Sequence, residues 1–456
     1  MNRPPKRIST SGDRGRQPRN TDPDRSRIRV AVWIAVAFVG ASTIAPAASA
    51  RTASGQPQQA AQTSERTSVT VGDLERATRA KPTDGNAWVA LASAYVRRAY
   101  ETSDPSFYPM AANAIERSAR LLKNSPRVRT VRADLALALH DFARARTEAN
   151  AVLALQPGSF EARVALADAT VELGDYRAAE DIISSLVEQQ PGVASFSRLS
   201  YIRQLNGDLL GAETAMRSAV SAAPQQSLAR AAATAYLGEI LLERGKGSAA
   251  KRAFVEALEL HPESSVAAMG MARIQAADLD WTSAIATLDR VLDRVPVPGA
   301  LGLSAEIARA RNDRAGELAA NQLVDASVAL FRSNGAILDA EVALLLADRG
   351  PGGSAKALDA ARDAYRARQT TFTRDAMAWT LMQAGRPKDA VPYIMAAIAM
   401  NPGVASVRWH AAKILHAVGR LPEARREIGF ALRNRWFSPG ERAKVVALAR
   451  TLDVEV

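Results

Sequence analysis

The residues able to do chemistry in this 456-residue chain are few and poorly placed for it. There is no cysteine, which removes disulfides, thiolate nucleophiles and cysteine-ligated metals together. Four histidines occur, His140, His261, His410 and His416, and none stands in an HExxH or HxH arrangement with the carboxylates a metal site needs. His410 and His416 are six residues apart, which does not set them squarely on one helix face. Gly245-Lys246-Gly247-Ser248 has the look of a phosphate loop, but that pattern requires Gly where Ile240 stands and Ser or Thr where Gly247 stands. Gly350-Pro351-Gly352-Gly353 lacks dinucleotide-loop spacing, and no GxSxG elbow occurs. The acids Asp278 and Asp280 share a turn, whereas acid–base catalysis needs partners placed across a cleft. No catalytic residue, metal ligand or cofactor contact is assigned, and the chain reads as a non-enzyme.

The elements that would position any binding residue show a clear rhythm. Prolines stand at Pro126, Pro157, Pro191, Pro224, Pro262 and Pro296, at intervals of 31, 34, 33, 38 and 34 residues. A period in this range marks a repeat architecture, with a helix-turn-helix unit in each slot. Before each proline a small and two apolar residues recur at i, i+4 and i+7, one stripe of an α-helix. The sets are Ala179, Ile183 and Leu186; Ala212, Met216 and Ala219; Ala250, Phe254 and Ala257; Ala284, Leu288 and Val291. Pro402 repeats the pattern with Ala390, Ile394 and Ala397. Turns with glycine precede these helices, as in Gly174-Asp175-Tyr176, Asn206-Gly207-Asp208 and Gly385-Arg386-Pro387, where a left-handed residue ends one helix and the next begins.

These offsets resemble the tetratricopeptide (TPR) family from about residue 83 to 436, most closely around Leu237-Gly238, Ala250, Phe254, Ala257 and Pro262. The resemblance implies an all-α fold: an α-solenoid of about ten helix pairs wound into a right-handed superhelix, presenting a long groove instead of a closed pocket. The first unit, with Trp88, Leu91, Tyr95 and Ala114, carries an insertion near 101–109. Between 297 and 370 the signature thins, and two degenerate units are expected there, split near Asn334-Gly335. Residues 71–436 form the solenoid, and 437–456 a capping helix opened by the capping-box sequence Ser438-Pro439-Gly440-Glu441.

In TPR arrays the second, fifth, ninth and twelfth positions of each first helix face the groove. Carried over, they select Asp168, Tyr201, Gln204, Glu239, Met269 and Arg273 in the middle units. Further on they select Phe372, Asp375, Trp379, Met382, Trp409, Lys413 and His416. The partner-binding residues expected from this set are Tyr201, Glu239, Arg273, Phe372, Trp379, Trp409, Lys413 and His416. Exposed rings beside cations suit a bound peptide; rings that fill space between adjacent units are the alternative. The family's carboxylate clamp is not matched, because its places hold Val164, Asp168, Ser197 and Tyr201, or Ala235, Glu239, Met269 and Arg273.

The front of the chain differs in kind. Residues 1–29 hold nine Lys or Arg against three Asp, a net +6 that is half of the chain's +12, and should be a disordered tail. Residues 30–50 carry no charge, so a basic start precedes an apolar run, as in an export signal. Either Ala48-Ser49-Ala50 directs cleavage before Arg51, or the run remains as a single-pass anchor. Both place the repeats outside the cytoplasm, after a flexible linker at 51–70. With the front removed, the mild charge of the remainder gives no reason to expect a nucleic-acid partner. The reading is an exported or membrane-tethered scaffold that binds protein or peptide partners in its groove. The alternatives are an enzyme or enzyme subunit with a site at 297–370, and a binder of anionic lipid or cell-wall polymer through the basic last third.

Overall fold

The computed structural model describes residues 70–456 except 103, 295, 338–339, 350–353, 401–403 and 434–438. The tail, the apolar run, almost all of the linker and the Gly350-Pro351-Gly352-Gly353 turn lie outside the described residues, as does Ser438.

Ten helical hairpins follow one another among the described residues, and each pair packs side by side. They are α2 (Gly85–Thr102) with α3 (Phe107–Leu121), α4 (Pro126–Ala138) with α5 (Phe142–Leu155), and α6 (Phe160–Glu172) with α7 (Tyr176–Gln189). Next come α8 (Val193–Leu205) with α9 (Leu209–Ala222), α10 (Leu228–Glu243) with α11 (Gly247–Leu260), and α12 (Ser265–Ala277) with α13 (Trp281–Leu292). The expected degenerate units are α14 (Pro298–Ala310) with α15 (Arg314–Ser333), and α16 (Ala340–Ala347) with α17 (Ser354–Ala367). The last two are α18 (Thr371–Gln383) with α19 (Pro387–Met400), and α20 (Ala405–Ala417) with α21 (Leu421–Leu432). A short α1 (Val71–Ala80) precedes the array and α22 (Pro439–Thr451) ends it. First helices touch first helices along the stack, forming an inner layer, with the second helices outside it.

The small-and-apolar stripes make the array cohere. Ala179, Ile183, Leu186, Ala284, Leu288, Ala390 and Ile394 are all sealed from water, as the spacing predicts. Phe254 shows why small residues recur opposite them. A Cβ on Gly238 would lie 2.5 Å from its ring, and one on Gly270 2.2 Å, so this ring packs directly against two helix backbones.

The turns inside the hairpins repeat one chemistry. Asp141, Asp175, Asp208, Asp280 and Asp313 each cap a second helix by accepting from the backbone N–H three residues on. The residue before each cap has a left-handed backbone: Gly174 and Gly207 in two units, but His140, Leu279 and Asn312 in the others. The turn geometry is thus kept where the glycine signal is missing, at a cost of about 1–2 kcal/mol for each side chain held there.

The stack does not run on as an open rod. Its path brings residues near 331–372 back against residues near 139–176. The Ile337 N–H donates to the Leu139 carbonyl at 3.1 Å, and Phe331 enters the core built by Val89, Tyr95, Val131 and Leu135. Arg368 pairs with Glu172, and its guanidinium lies 4.8 Å from the centre of the Phe142 ring. The Thr371 N–H reaches the Tyr176 hydroxyl at 3.5 Å, and Phe372 packs among Ile183, Leu186 and Ile202 as well as its own neighbours. At the far end α22 buries Val445, Leu448 and Ala449 and touches both α21 and α14, so it caps the last hairpin and also reaches across the interior. The returning α22 narrows one stretch of the inner face into a half-open pocket.

Candidate functional site: an interior cavity lined by the first helices

The narrowed stretch is a half-open cavity of about 420 Å³. It is lined by the first helices α10, α12, α14, α16, α18 and α20, together with α15 and α22. Its wall mixes carboxylates (Glu239, Glu243, Glu306, Glu341, Asp348, Glu441) with cations (Arg273, Arg309, Arg349, Lys444) and the two indoles of Trp379 and Trp409.

Four of the eight sequence-predicted residues meet here: Glu239, Arg273, Trp379 and Trp409. Glu239 and Arg273, on α10 and α12, form an ion pair across the inner layer, and Glu239 raises the Arg273 pKa above its ordinary value. Trp379 and Trp409 are not the exposed rings the sequence suggested: they are 5% and 2% exposed, with centroids 6.3 Å apart. They belong to the core that joins α18 to α20 and leave little surface to the cavity. Trp379 also stacks on His410 at 4.0 Å and donates Nε1–H to Asp348 at 2.8 Å. His410 is buried with Nδ1 at 2.9 Å from Asp375. Burial opposes a charge on the imidazole, Asp375 outweighs it, and the pKa is raised.

The other predicted residues go elsewhere. Tyr201 donates its hydroxyl to Glu172 at 3.1 Å and, with Phe372, belongs to the contact between successive turns. Lys413 and His416 are half-buried on α20 and do not line the cavity. Asp168, expected to face the groove, is 7% exposed and held by Arg198 through two hydrogen bonds of 2.7 and 2.6 Å.

Most of the cavity's charge was not anticipated. On α14 the second, fifth, ninth and twelfth residues are Gly299, Gly302, Glu306 and Arg309, and all four line the cavity. The positional rule applied to the upstream units would have found them, had the start of α14 at Pro298 been set. Glu341 on α16 obeys the same rule. Glu441 and Lys444 had no such signal, because only the returning path of α22 brings them in.

Two of these acids titrate unusually. Burial raises Glu243 to about 7; a hydrogen bond from Gln204 opposes this and Glu239 adds to it. Burial also raises Glu441 to about 7, with His410 and Lys444 opposing and Glu306 and Asp348 adding. Both are recessed but partly open to water. A carboxyl whose folded pKa exceeds its unfolded one keeps its proton on folding. Its contribution is therefore fully present below about pH 4.5, falls as pH rises, and is gone above about 7. Glu243→Gln and Glu441→Gln should each raise stability at pH 8 by on the order of 1 kcal/mol, allowing for water in the groove, and by less at pH 5. Urea midpoints of each variant and the wild type at the two pH values check this.

Family models agree with the architecture. The tetratricopeptide repeat models match residues 136–200, 241–307 and 376–439. Among solved structures, MamA from residue 41 to its end from Desulfovibrio magneticus RS-1 is similar over 39% of this chain and 97% of its own, at 21% identity and a TM-score of 0.29. Pseudomonas aeruginosa pilF covers 43% of this chain and 88% of its own, at 17% identity and a TM-score of 0.36. Yeast Tom70 covers 84% of this chain and 91% of its own, at 13% identity and a TM-score of 0.36. No curated protein matches the chain.

Proposed function

We propose that this chain, a tetratricopeptide-repeat protein, is a non-enzymatic scaffold that gathers other polypeptides at the cell envelope by holding peptide segments on its inner face. The observation that carries the reading is the cavity itself, a space of mixed polar and apolar lining walled by six consecutive first helices and α22. A preformed wall of this kind loses little freedom when a segment docks. The envelope location rests on the basic start and the uncharged run at 30–50. No described helix is long and apolar enough to cross a membrane, and that run lies outside the described residues.

Catalysis within 297–370 has one observation in its favour. Five charged residues of that stretch, Glu306, Arg309, Glu341, Asp348 and Arg349, line a cavity that holds acids titrating near neutrality. Arg309 and Arg349 are held in ion pairs with Glu317 and Asp325, Asp348 accepts from the Trp379 indole, and the scaffold reading needs no added chemistry.

The test is photo-crosslinking in cells with benzoylphenylalanine at Ser406, in the cavity wall, and at Glu180, on the outer layer. Discrete adducts to other polypeptides are expected from Ser406 and not from Glu180. No adduct from Ser406, or the same adducts from both positions, contradicts the reading. In the same cells, N-terminal sequencing that starts at Arg51 indicates cleavage and release, while an uncleaved chain that stays with membranes indicates an anchor. A chain found whole in the soluble cytoplasm overturns the envelope assignment.

A further inference from the structure

We propose that residues 368–372 act as a clasp holding one turn of the superhelix on the next, and that releasing this clasp alone opens the stack.

The clasp sits on the earlier hairpins much as a bound ligand would. Arg368, Gln369 and Thr370 run without helical structure between α17 and α18. Arg368 lies over the Phe142 ring and pairs with Glu172, which also accepts from the Tyr201 hydroxyl at 3.1 Å. The Gln369 carbonyl oxygen sits against Gly174, where a Cβ would meet it at 3.1 Å. The terminal methyl of Met400 would lie 3.7 Å from the same Cβ. The Thr371 N–H points to the Tyr176 hydroxyl, and Phe372 packs against the core of Ile183, Leu186 and Ile202. Two groove positions, Tyr201 and Phe372, are thus taken up by the chain's own next turn.

Little else joins the turns. Among the described residues no helix from α2 to α8 packs lengthwise on one from α15 to α19. The second meeting point brings Phe331, Ala336 and one backbone hydrogen bond from Ile337, whose side chain stays exposed. Five hairpins, from α8 to α17, separate the two sides of the clasp, and each is held by its own neighbours. A small rotation at each therefore sums to a wide opening without breaking any hairpin. The closed form also leaves a polar group unsatisfied. The Thr371 hydroxyl is sealed from water and has no hydrogen-bond partner among the described residues. Water satisfies it in the open form, which narrows the gap between the two states.

The absence of native cysteine lets one pair of spin labels report the state of the full chain. Asp181→Cys on α7 and Asp363→Cys on α17, both at exposed positions, carry the labels, and double electron–electron resonance reads their separation. With the clasp intact one narrow distribution is expected. Arg368→Gln with Phe372→Ala should move most of it to longer separations while far-ultraviolet circular dichroism keeps its helical intensity. A wedge reaches the same end independently. Gly174→Leu should open the seam and Gly245→Leu should not, because both glycines are left-handed but nothing lies within 4 Å of a Cβ at Gly245. Leu279 already holds a leucine in that conformation at the matching turn position, so the turn itself accepts the change. Unchanged separations in a helical double variant, or equal shifts from the two leucines, overturn the inference. If the double variant loses helix, the leucines decide: a shift from Gly174→Leu alone supports the clasp, and no shift from either overturns it.

Discussion

Arg198→Met is expected to destabilise the protein by about 3–5 kcal/mol, the size of effect seen when one partner of a buried ion pair is removed. Arg198 is 1% exposed and lies on α8, with Nε and Nη2 on the two oxygens of Asp168 from α6 and Nη1 on the Ala194 carbonyl at 2.9 Å. Methionine fills a similar space but leaves Asp168 buried without its cation. The loss spreads further, because burial followed by the charges of Asp168 and Glu161 already raises Asp134 to about 7, and Arg198 opposes that rise. Asp168→Asn in the Arg198→Met background should recover part of the lost stability, since the stranded carboxylate is what makes the single change costly. Equilibrium urea denaturation of the three variants measures this, and a single variant within 1 kcal/mol of wild type would contradict the buried-pair description.

Trp409→Ala should cost a similar amount, about 3–5 kcal/mol. The side chain is 2% exposed within the core that joins α18 to α20 and α21, close to Trp379 and among Ile414, Leu415 and Ile428. A ring whose purpose was to grip a ligand would be open to water, and its removal would change binding more than folding. The structure places the greater effect on folding. Tryptophan fluorescence and far-ultraviolet circular dichroism during denaturation should both show an earlier transition in the variant. An unshifted transition would restore the view of Trp409 as an exposed contact.

The helical architecture was legible because each hairpin writes its own packing into a local pattern. Ala179, Ile183 and Leu186 announce a buried stripe whatever lies beyond the neighbouring unit, and the Asp175 cap needs only its own turn. The same locality explains the blind spots. Nothing within the unit of Tyr176 reveals that Thr371 will lie against it, since that contact joins residues 195 positions apart and depends on the summed rotation of every intervening hairpin. Glu172 and Arg368 are likewise ordinary surface-type residues until the turns meet. The groove rule located Glu239 and Arg273 correctly in the wall, yet it could not tell a position that faces open space from one sealed by the next unit. Asp168, Trp379 and Trp409 show that difference. Left-handed turns without glycine, at His140, Leu279 and Asn312, are a further case: the signature residue was absent and the conformation was kept by the Asp cap beside it.

The account of the fold turns on the stack coming back upon itself, and a chain without native cysteine allows that to be tested cleanly. Leu139 and Ile337, 198 positions apart in sequence, share a backbone hydrogen bond of 3.1 Å, so the two residues are adjacent in space. The pair Leu139→Cys and Ile337→Cys, oxidised at low protein concentration, should close an intramolecular bridge or be joined by a short bismaleimide, giving a monomer of altered mobility in denaturing gels. Two thiols that stay free and unbridged in a normally melting protein would show an open superhelix and contradict the returning path.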